Sequence, residues 1–302
     1  MRLLRSMMFT PGNRPRFVAK AASAGADAII LDLEDSIPIA EKVATRPIVR
    51  QAIDDLVAAG QRQVYVRVNP LGANKTAYSQ DLAAGDVAAV LCPDLTGIVL
   101  PKVEAAEEIL ELDRLMGELE RAQGIPEGQV ELNPILETAK GIMNAPQIAA
   151  ACPRRVPRLA IGAGDLTHDL GIGWTQDETE LLFARSWVVM VSRAAGIEPP
   201  IDGVYATLAD AEGQAHSAKI AKQLGFQGKQ CIHPQQVPLL NAIFGPSAEQ
   251  IDYARRAIAA FDQAVSEGKA SILFEGKMLD YPVVEREREL LARAEEIARR
   301  AK

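Results

Sequence analysis

The chain has 302 residues and a formal net charge of −7, and 48% of its residues are hydrophobic and 24% are charged. This composition excludes an intrinsically disordered chain, and the acidic balance argues against a general nucleic-acid-binding protein. The charge is uneven, because the first 26 residues contain no acid and carry the basic side chains Arg2, Arg5, Arg14, Arg16 and Lys20. This basic segment predicts a local site for an anion.

Cysteine spacing and hydropathy limit the cellular setting. The three cysteines are far apart, which is typical of buried thiols and not of a disulfide framework or a structural zinc site. No apolar run approaches the ~20 residues that span a bilayer. Arg5 interrupts the apolar start of the chain, so a secretion signal is not expected. We therefore predict a cytoplasmic protein without a membrane partner.

In chain order, short apolar runs alternate with longer amphipathic stretches, and the pair recurs eight times. The predicted strands are Leu4–Phe9, Ala28–Leu33, Val64–Val68, Gly97–Leu100, Glu131–Ile135, Arg158–Ile161, Ile201–Gly203 and Gly228–Cys231. The predicted helices cover residues 14–24, 41–59, 104–122, 139–151, 178–195, 207–224 and 235–244. Strands that alternate with helices imply parallel strands, and eight such units predict an α/β fold closed into a (β/α)₈ TIM barrel.

We assign residues 1–246 to this catalytic barrel and residues 247–302 to a C-terminal extension. The extension is predicted to contain a helix over 247–266, a hairpin that turns at Glu275-Gly276 and a final helix over 283–301. It is too small to be a second catalytic domain, so we interpret it as a helical and hairpin lid that also contributes to oligomer contacts.

Ionisable residues follow the apolar runs of several predicted strands. The carboxyl ends of all strands in a barrel meet at one mouth, so these side chains are expected to converge there. Burial of so many charges would be costly unless they were paired or bound a metal. The residues are Asp32, Glu34, Asp35, Arg67, Lys102, Glu137, Asp165 and His233.

Glu137 and Asp165 form the candidate metal pair, because they follow the adjacent fifth and sixth strands. Two carboxylates can share Mg²⁺ and leave its other positions for water and a chelating substrate. Gly164 would let backbone amides approach a substrate carboxylate, and Arg67 can hold a carboxylate through two parallel hydrogen bonds. The pattern predicts metal-assisted making or breaking of a carbon–carbon bond, while Lys102 leaves a Schiff-base lysine as an alternative.

Seven motifs occur in a fixed order along the chain. They are residues 5–13 (RSMMFTPGN), 32–36 (DLEDS), 66–69 (VRVN), 100–102 (LPK), 137–142 (ETAKGI), 162–166 (GAGDL) and 228–234 (GKQCIHP). In these motifs the chain resembles the citrate lyase beta-subunit family, which includes malyl-CoA and citramalyl-CoA lyases, within the HpcH/HpaI aldolase-like superfamily. The resemblance covers nearly the whole chain.

The resemblance implies a barrel that assembles as a trimer or hexamer and binds Mg²⁺ through the counterparts of Glu137 and Asp165. The counterpart of Arg67 would grip the carboxylate of a 2-oxo acid. We also assign Lys102, Gly164 and Asp165 to the substrate site. Glu34 and Asp35 are expected to hold metal-bound waters.

The resemblance also implies a coenzyme A site lined by the counterparts of Phe9, Arg14 and Lys20, which would explain the basic N-terminal segment. In the tail, residues 276–282 (GKMLDYP) resemble the lid motif of the family. Its aspartate, Asp280, would cover the site of a neighbouring subunit and act as the acid or base at the α-carbon of the acyl thioester. Without the resemblance, Asp280 is interpreted as a solvated residue at a hairpin exit.

The predicted activity is a Mg²⁺-dependent cleavage of a 3-hydroxyacyl thioester, of the citramalyl-, malyl- or citryl-CoA type, to an acetyl thioester and a 2-oxo acid. One alternative is a citrate lyase beta subunit that acts on an acyl-carrier-protein thioester in a complex with the alpha and acyl-carrier subunits. Others are a class II aldolase that acts on free pyruvate and a Schiff-base aldolase that uses Lys102.

The sequence leaves the 2-oxo acid, the thioester carrier and any later hydrolysis of the thioester open. We expect the loop over residues 71–88 to influence which 2-oxo acid fits. His168 is interpreted as structural, and His233 as a packed core histidine.

Overall fold

The structure is a computed structural model, and it describes residues 2–72 and 82–300. Eight parallel strands form a closed barrel in chain order, with the first strand paired to the eighth. The strands are β1 (Ser6–Pro11), β2 (Ala28–Asp32), β3 (Val64–Arg67), β4 (Gly97–Leu100), β5 (Glu131–Leu136), β6 (Ala160–Ile161), β7 (Ile201–Asp202) and β8 (Gly228–Cys231). The predicted (β/α)₈ barrel is confirmed.

Helices follow the strands along the chain. They are α1 (Pro15–Ala22), α2 (Lys42–Ala58), α3 (Leu82–Val90), α4 (Ala106–Ala122), α5 (Ala139–Met143), α6 (Ala145–Ala151), α7 (Ala163–Asp169), α8 (Leu182–Ala194), α9 (Ala211–Leu224) and α10 (Val237–Phe244). Among the helices of the described residues, none has the length and apolar character that crossing a bilayer requires. Cys92, Cys152 and Cys231 are all buried and free, as predicted.

Three helical predictions need correction. The single helix predicted over 139–151 is divided into α5 and α6, because Pro146 lies in the first turn of α6 and has no amide hydrogen to continue α5. The helix α7 was missed, since its sequence was interpreted as a strand end. Helix α3 was also missed: residues 82–88 of the predicted 71–88 loop are helical, and residues 73–81 lie outside the described residues. Its almost uniformly apolar sequence has no amphipathic period to detect.

Side-chain alternation along the strands places the functional residues at the barrel mouth. Met7, Ile30, Tyr65 and Ile135 belong to one buried apolar cluster in the barrel interior. Successive side chains of a strand point to opposite faces, so residues two positions further along share the same interior face. Those residues are Phe9, Asp32, Arg67 and Glu137. The layer above the apolar core therefore carries the charged side chains of Asp32, Arg67 and Glu137 beside the ring of Phe9.

Residue contacts divide the chain into two compact units, one covering Leu3–Leu240 and one beginning at Asn241. The second unit contains α11 (Ala248–Ser266), β9 (Ser271–Phe274), β10 (Lys277–Asp280) and α12 (Tyr281–Arg300). The hairpin turns at Glu275 and Gly276, both with positive φ, as the predicted turn requires. Phe261, Leu279 and Val284 are at the centre of the unit's own apolar cluster.

A buried ionic network joins the outer surface of the barrel to α8. Arg185 donates two hydrogen bonds of 2.9 Å to the carboxylate of Asp202 and forms an ion pair of 2.9 Å with Glu178. Lys229 forms an ion pair with the same carboxylate of Asp202. All four side chains are at most 1% exposed, so the network is closed to water and depends on its own charge balance.

Arg185→Met should therefore lower the free energy of unfolding by about 3–5 kcal/mol, because it leaves Glu178 and part of Asp202 buried without a cation. Arg114→Met is the matched control, since Arg114 forms an exposed pair with Glu118 and should cost less than about 1 kcal/mol. Urea unfolding followed by circular dichroism measures both, and equal losses in the two variants would contradict this account.

Candidate active site

The ion pair between Arg67 and Asp32 connects the ends of β3 and β2. The guanidinium donates from Nε and Nη2 to the two oxygens of Asp32 at 2.7 and 2.8 Å. Burial by itself would raise the pKa of Asp32, but the charge and the hydrogen bonds of Arg67 lower it to about 2. Asp32 is thus a permanent anion that fixes the orientation of Arg67.

Glu34 forms ion pairs with two cations. Its Oε2 lies 2.9 Å from Nη1 of Arg67, and its Oε1 accepts a hydrogen bond of 2.5 Å from Nζ of Lys102. Burial raises the pKa of Glu34 to about 7, against the lowering effect of both cations. Asp35 lies 3.5 Å from Arg67 and 3.7 Å from Lys102, and its side chain is 57% exposed. The acidic turn after β2 therefore presents one buried and one exposed carboxylate.

Lys102 bends the chain so that two of its groups reach the site. Its φ of 53° is uncommon for a residue with a side chain, and such backbone strain is concentrated at functional sites. Its amide donates to Oε1 of Glu137 at 2.8 Å, while its ammonium contacts Glu34 and lies 3.1 Å from Asp165. Burial lowers the pKa of Lys102, but the surrounding carboxylates outweigh it and raise the pKa overall. Lys102 is therefore held as an ammonium ion.

Glu137 is the most crowded carboxylate of the site. It is buried at the end of β5, and burial together with the negative charges of Glu34 and Asp165 raises its pKa to about 8. A Cβ atom on residue 162 would lie 2.0 Å from Oε2 of Glu137, so only glycine leaves room for this carboxylate. The close approach of the Glu137 carboxylate thus explains why a glycine follows β6.

A cavity of about 720 Å³ opens beside Lys102, Glu137 and Asp165. It is lined by Gly72, Lys102, Glu104, Glu108, Glu137, Thr138, Lys140, Asp165, His168 and Asp169. In residues 2–72 and 82–300, no group of three or more His, Cys, Asp or Glu side chains is arranged to hold a metal. A cation at Glu137 and Asp165 would have two protein oxygens and would take its remaining ligands from water or substrate. Oxygen ligands and open positions suit Mg²⁺.

Both the sequence and the fold are similar to those of known proteins. The pattern of the HpcH/HpaI aldolase/citrate lyase family matches residues 5–234. The chain belongs to this family. As a member of the HpcH/HpaI aldolase/citrate lyase family, it is a carbon–carbon lyase. The resemblance inferred from the motifs is confirmed.

Three family relatives show the range of similarity. The citrate lyase subunit beta of Leuconostoc mesenteroides subsp. cremoris is 37% identical over 94% of this chain and 90% of the relative. The L-malyl-CoA/beta-methylmalyl-CoA lyase of Cereibacter sphaeroides is 32% identical over 97% of this chain and 95% of the relative. The CitE protein of Mycobacterium tuberculosis, solved with magnesium, acetoacetate and coenzyme A, has a TM-score of 0.74 and 31% identity over 97% of this chain and 99% of that structure.

Phe9 lies on the β1 side of the mouth, while the basic residues of the N-terminal segment are spread from the start of the chain to α1. The ring of Phe9 lies under the guanidinium of Arg67, with 4.7 Å between its centroid and Cζ. Arg14 and Lys20, at the two ends of α1, are exposed. Arg5 differs from them, because it donates two side-chain hydrogen bonds to Asp27 and is committed to that ion pair.

The remaining predicted residues have local roles. Nδ1 of His233 accepts a hydrogen bond of 3.2 Å from the amide of Gln235, so this half-buried histidine caps the short turn after β8. His168 is exposed at the cavity wall. Asp280 is half-buried in the second unit, and its carboxylate accepts a hydrogen bond of 3.2 Å from the amide of Val283 at the start of α12.

Gly162→Ala should displace the Glu137 carboxylate and reduce the turnover of the lyase about 100-fold, since a shift of about 1 Å in a reacting group has effects of this size. Gly173→Ala is the matched control, because a Cβ at that position meets nothing within 4 Å. Steady-state assays of 2-oxo acid release compare the two variants, and an active Gly162→Ala enzyme would show that Glu137 is not needed in this position.

Proposed function

We propose that this protein is a Mg²⁺-dependent lyase that cleaves a 3-hydroxyacyl thioester of the malyl-, citramalyl- or citryl-CoA type to an acetyl thioester and a 2-oxo acid. The observation that carries the proposal is the pair of Glu137 and Asp165 at the wall of the 720 Å³ cavity. The similarity to the L-malyl-CoA/beta-methylmalyl-CoA lyase and to the structure solved with magnesium and coenzyme A supports it.

Glu137 and Asp165 would hold the Mg²⁺ ion. Their carboxylates fit it, because Glu137 is buried among like charges that raise its pKa and a cation would stabilise its anionic form. When bound, Mg²⁺ supplies Lewis-acid stabilisation of the oxygen atoms of the 2-oxo acid. Glu34 and Asp35 are proposed to orient the water around it.

The chain's own residues would position the 2-oxo acid. Arg67 is held in place by Asp32, and its Nη1 lies on the side of the exposed Asp35, where a substrate carboxylate would meet a fixed positive charge. Gly164, in the first turn of α7, would offer its amide to the same substrate. Lys102, an ammonium ion between Glu34 and Asp165, would offset the negative charge of the bound acid.

Bond cleavage leaves an electron pair on the α-carbon of the thioester. The hydroxyl proton of the substrate would pass to solvent water as the carbonyl of the 2-oxo acid forms, and a protonated Asp280 would supply the proton that the α-carbon gains. We propose that Asp280 does so in the site of a neighbouring subunit. This arrangement requires a homo-oligomer, and a trimer or hexamer is the form we propose.

Phe9, Arg14 and Lys20 are proposed to line the coenzyme A site. The exposed Arg14 and Lys20 side chains would meet the phosphates, because a flexible cation on the surface binds phosphate at small cost in desolvation. The proposed compartment is the cytoplasm, where three unpaired cysteines remain reduced.

The state of Lys102 favours a metal-assisted reaction over a Schiff base. Schiff-base formation needs a neutral amine, whereas the carboxylates around Lys102 raise its pKa and keep it protonated. Borohydride treatment with substrate should therefore leave Lys102 unmodified.

Purified protein should release a 2-oxo acid from at least one of malyl-CoA, citramalyl-CoA and citryl-CoA in the presence of Mg²⁺, and EDTA should abolish the release. Glu137→Gln should lower kcat at least about 100-fold, because it removes a metal-binding charge. Glu111→Gln, on the exposed face of α4, should retain the activity of the unaltered protein. Turnover that is insensitive to EDTA would refute the proposal. Turnover only with an acyl-carrier-protein thioester would instead identify a citrate lyase beta subunit.

Asp280→Asn and Glu137→Gln should each be inactive alone and should regain part of the activity when they are unfolded together and refolded as mixed oligomers. A mixed oligomer contains sites with an intact Glu137 from one chain and an intact Asp280 from another. Asp252→Asn, an exposed substitution in α11, is the control for the second unit. Mixtures without any recovery, from oligomers shown to exchange chains, would place Asp280 in the site of its own chain or outside catalysis.

A further inference from the structure

Lys42, the first residue of α2, is a buried cation that the proposed reaction does not use. It is 8% exposed, and its ammonium donates to the carbonyl oxygens of Leu33 and Glu34 at 3.1 and 2.7 Å and to Oδ1 of Asn69 at 2.6 Å. An ammonium ion has three N–H donors, so these three acceptors use all of them. The side chain is therefore committed to a single orientation.

The two carbonyls lie immediately after β2, where strand pairing ends. Buried carbonyl groups need hydrogen-bond donors, and the ammonium of Lys42 donates to both of these, beside Nδ2 of Asn69 at Leu33 and the amide of Ile37 at Glu34. The segment that carries these carbonyls is the acidic turn of Asp32, Glu34 and Asp35. Among the described residues, Lys42 is the one side chain that donates to both carbonyls, so its hydrogen bonds help to fix the backbone from which the Glu34 side chain extends.

Asn69, which accepts a hydrogen bond from Lys42, is itself held in place by hydrogen bonds. Asn69 donates from Nδ2 to the carbonyl of Leu33 at 3.1 Å and to Oδ2 of Asp86 at 2.6 Å. Asp86 lies in α3 and is fully buried, and its other oxygen accepts from Nε of Arg46 at 2.8 Å. The chain of contacts runs from α3 through Asn69 and Lys42 to the acidic turn.

We propose that Lys42 is a positioning residue, which holds the turn after β2 so that Glu34 meets Lys102 and Arg67 at the barrel mouth. It acts through Glu34 and touches neither substrate nor metal. The catalytic part of this inference rests on the proposed lyase function, whereas the part that concerns the turn does not.

Hydrogen exchange tests the turn without any assay of activity. The amides of Glu34 and Ser36 donate to Asp32 at 3.0 Å, and the amide of Ile37 donates to the carbonyl of Glu34 at 3.1 Å. In Lys42→Met these amides should exchange at least about 10-fold faster than in the unaltered protein, because the turn opens more often. Arg50→Met is the control, since Arg50 forms an exposed pair with Asp54 in the same helix and should leave exchange at residues 33–37 unchanged.

Kinetics then separate positioning from a general loss of stability. At a temperature where both variants are folded, Lys42→Met should lower kcat about 10- to 100-fold with KM for the thioester changed less than about threefold, and Lys42→Arg, which keeps a cationic donor, should recover part of kcat. Unchanged exchange at residues 33–37, or faster exchange with an unaltered kcat, would overturn the inference. Failure of the proposed function is distinct, because it would appear as a lack of turnover in the unaltered protein, and the exchange measurement would still decide the role of Lys42.

Discussion

Four acidic side chains, Asp32, Glu34, Glu137 and Asp165, converge on the barrel mouth, where Arg67 and Lys102 separate them. Asp32, Glu34 and Glu137 are buried and lose solvation, whereas Asp165 is 40% exposed. The two cations compensate unequally. Arg67 lowers the pKa of Asp32, while burial keeps the pKa values of Glu34 and Glu137 raised. The described residues of the mouth therefore hold more carboxylates than cations, and the proposed Mg²⁺ site rests on this charge balance.

The scaffold behind the mouth keeps this unfavourable arrangement in place. The apolar interior of the barrel ends two residues before Asp32 and Glu137, and strand pairing fixes the backbone of Asp32 opposite Arg67. Lys102 adopts a left-handed backbone conformation in which its amide donates to Glu137. Residue 162 is a glycine, which leaves space for the Glu137 carboxylate. Outside the strands, hydrogen bonds hold the turn after β2 in place, and they involve Lys42, Asn69 and Asp86.

Much of the site could be predicted from the sequence. Charged residues directly after apolar runs are conspicuous, and parallel strands bring their ends together, so Glu137 and Asp165 were found by position alone. Lys42 was not found, because it begins a polar helix eight residues away from the nearest carbonyl it binds and looks like an ordinary surface lysine. Arg67 was recognised as a carboxylate ligand, but the sequence could not show that its fork already holds Asp32.

The sequence by itself determined the barrel, the order of its strands and the identity of the polar residues at their ends. Each strand and helix has its own hydrophobic pattern, which can be recognised in one segment of the chain without knowledge of the others. Only the tertiary structure decided how the charges pair, which histidine caps a turn, and where α3 and α7 form. These outcomes depend on distances between segments far apart in the chain, such as Glu34 and Lys102, and on burial that no single segment can produce. The sequence thus specified which polar residues lie at the site, and packing determined their ion pairs and pKa values.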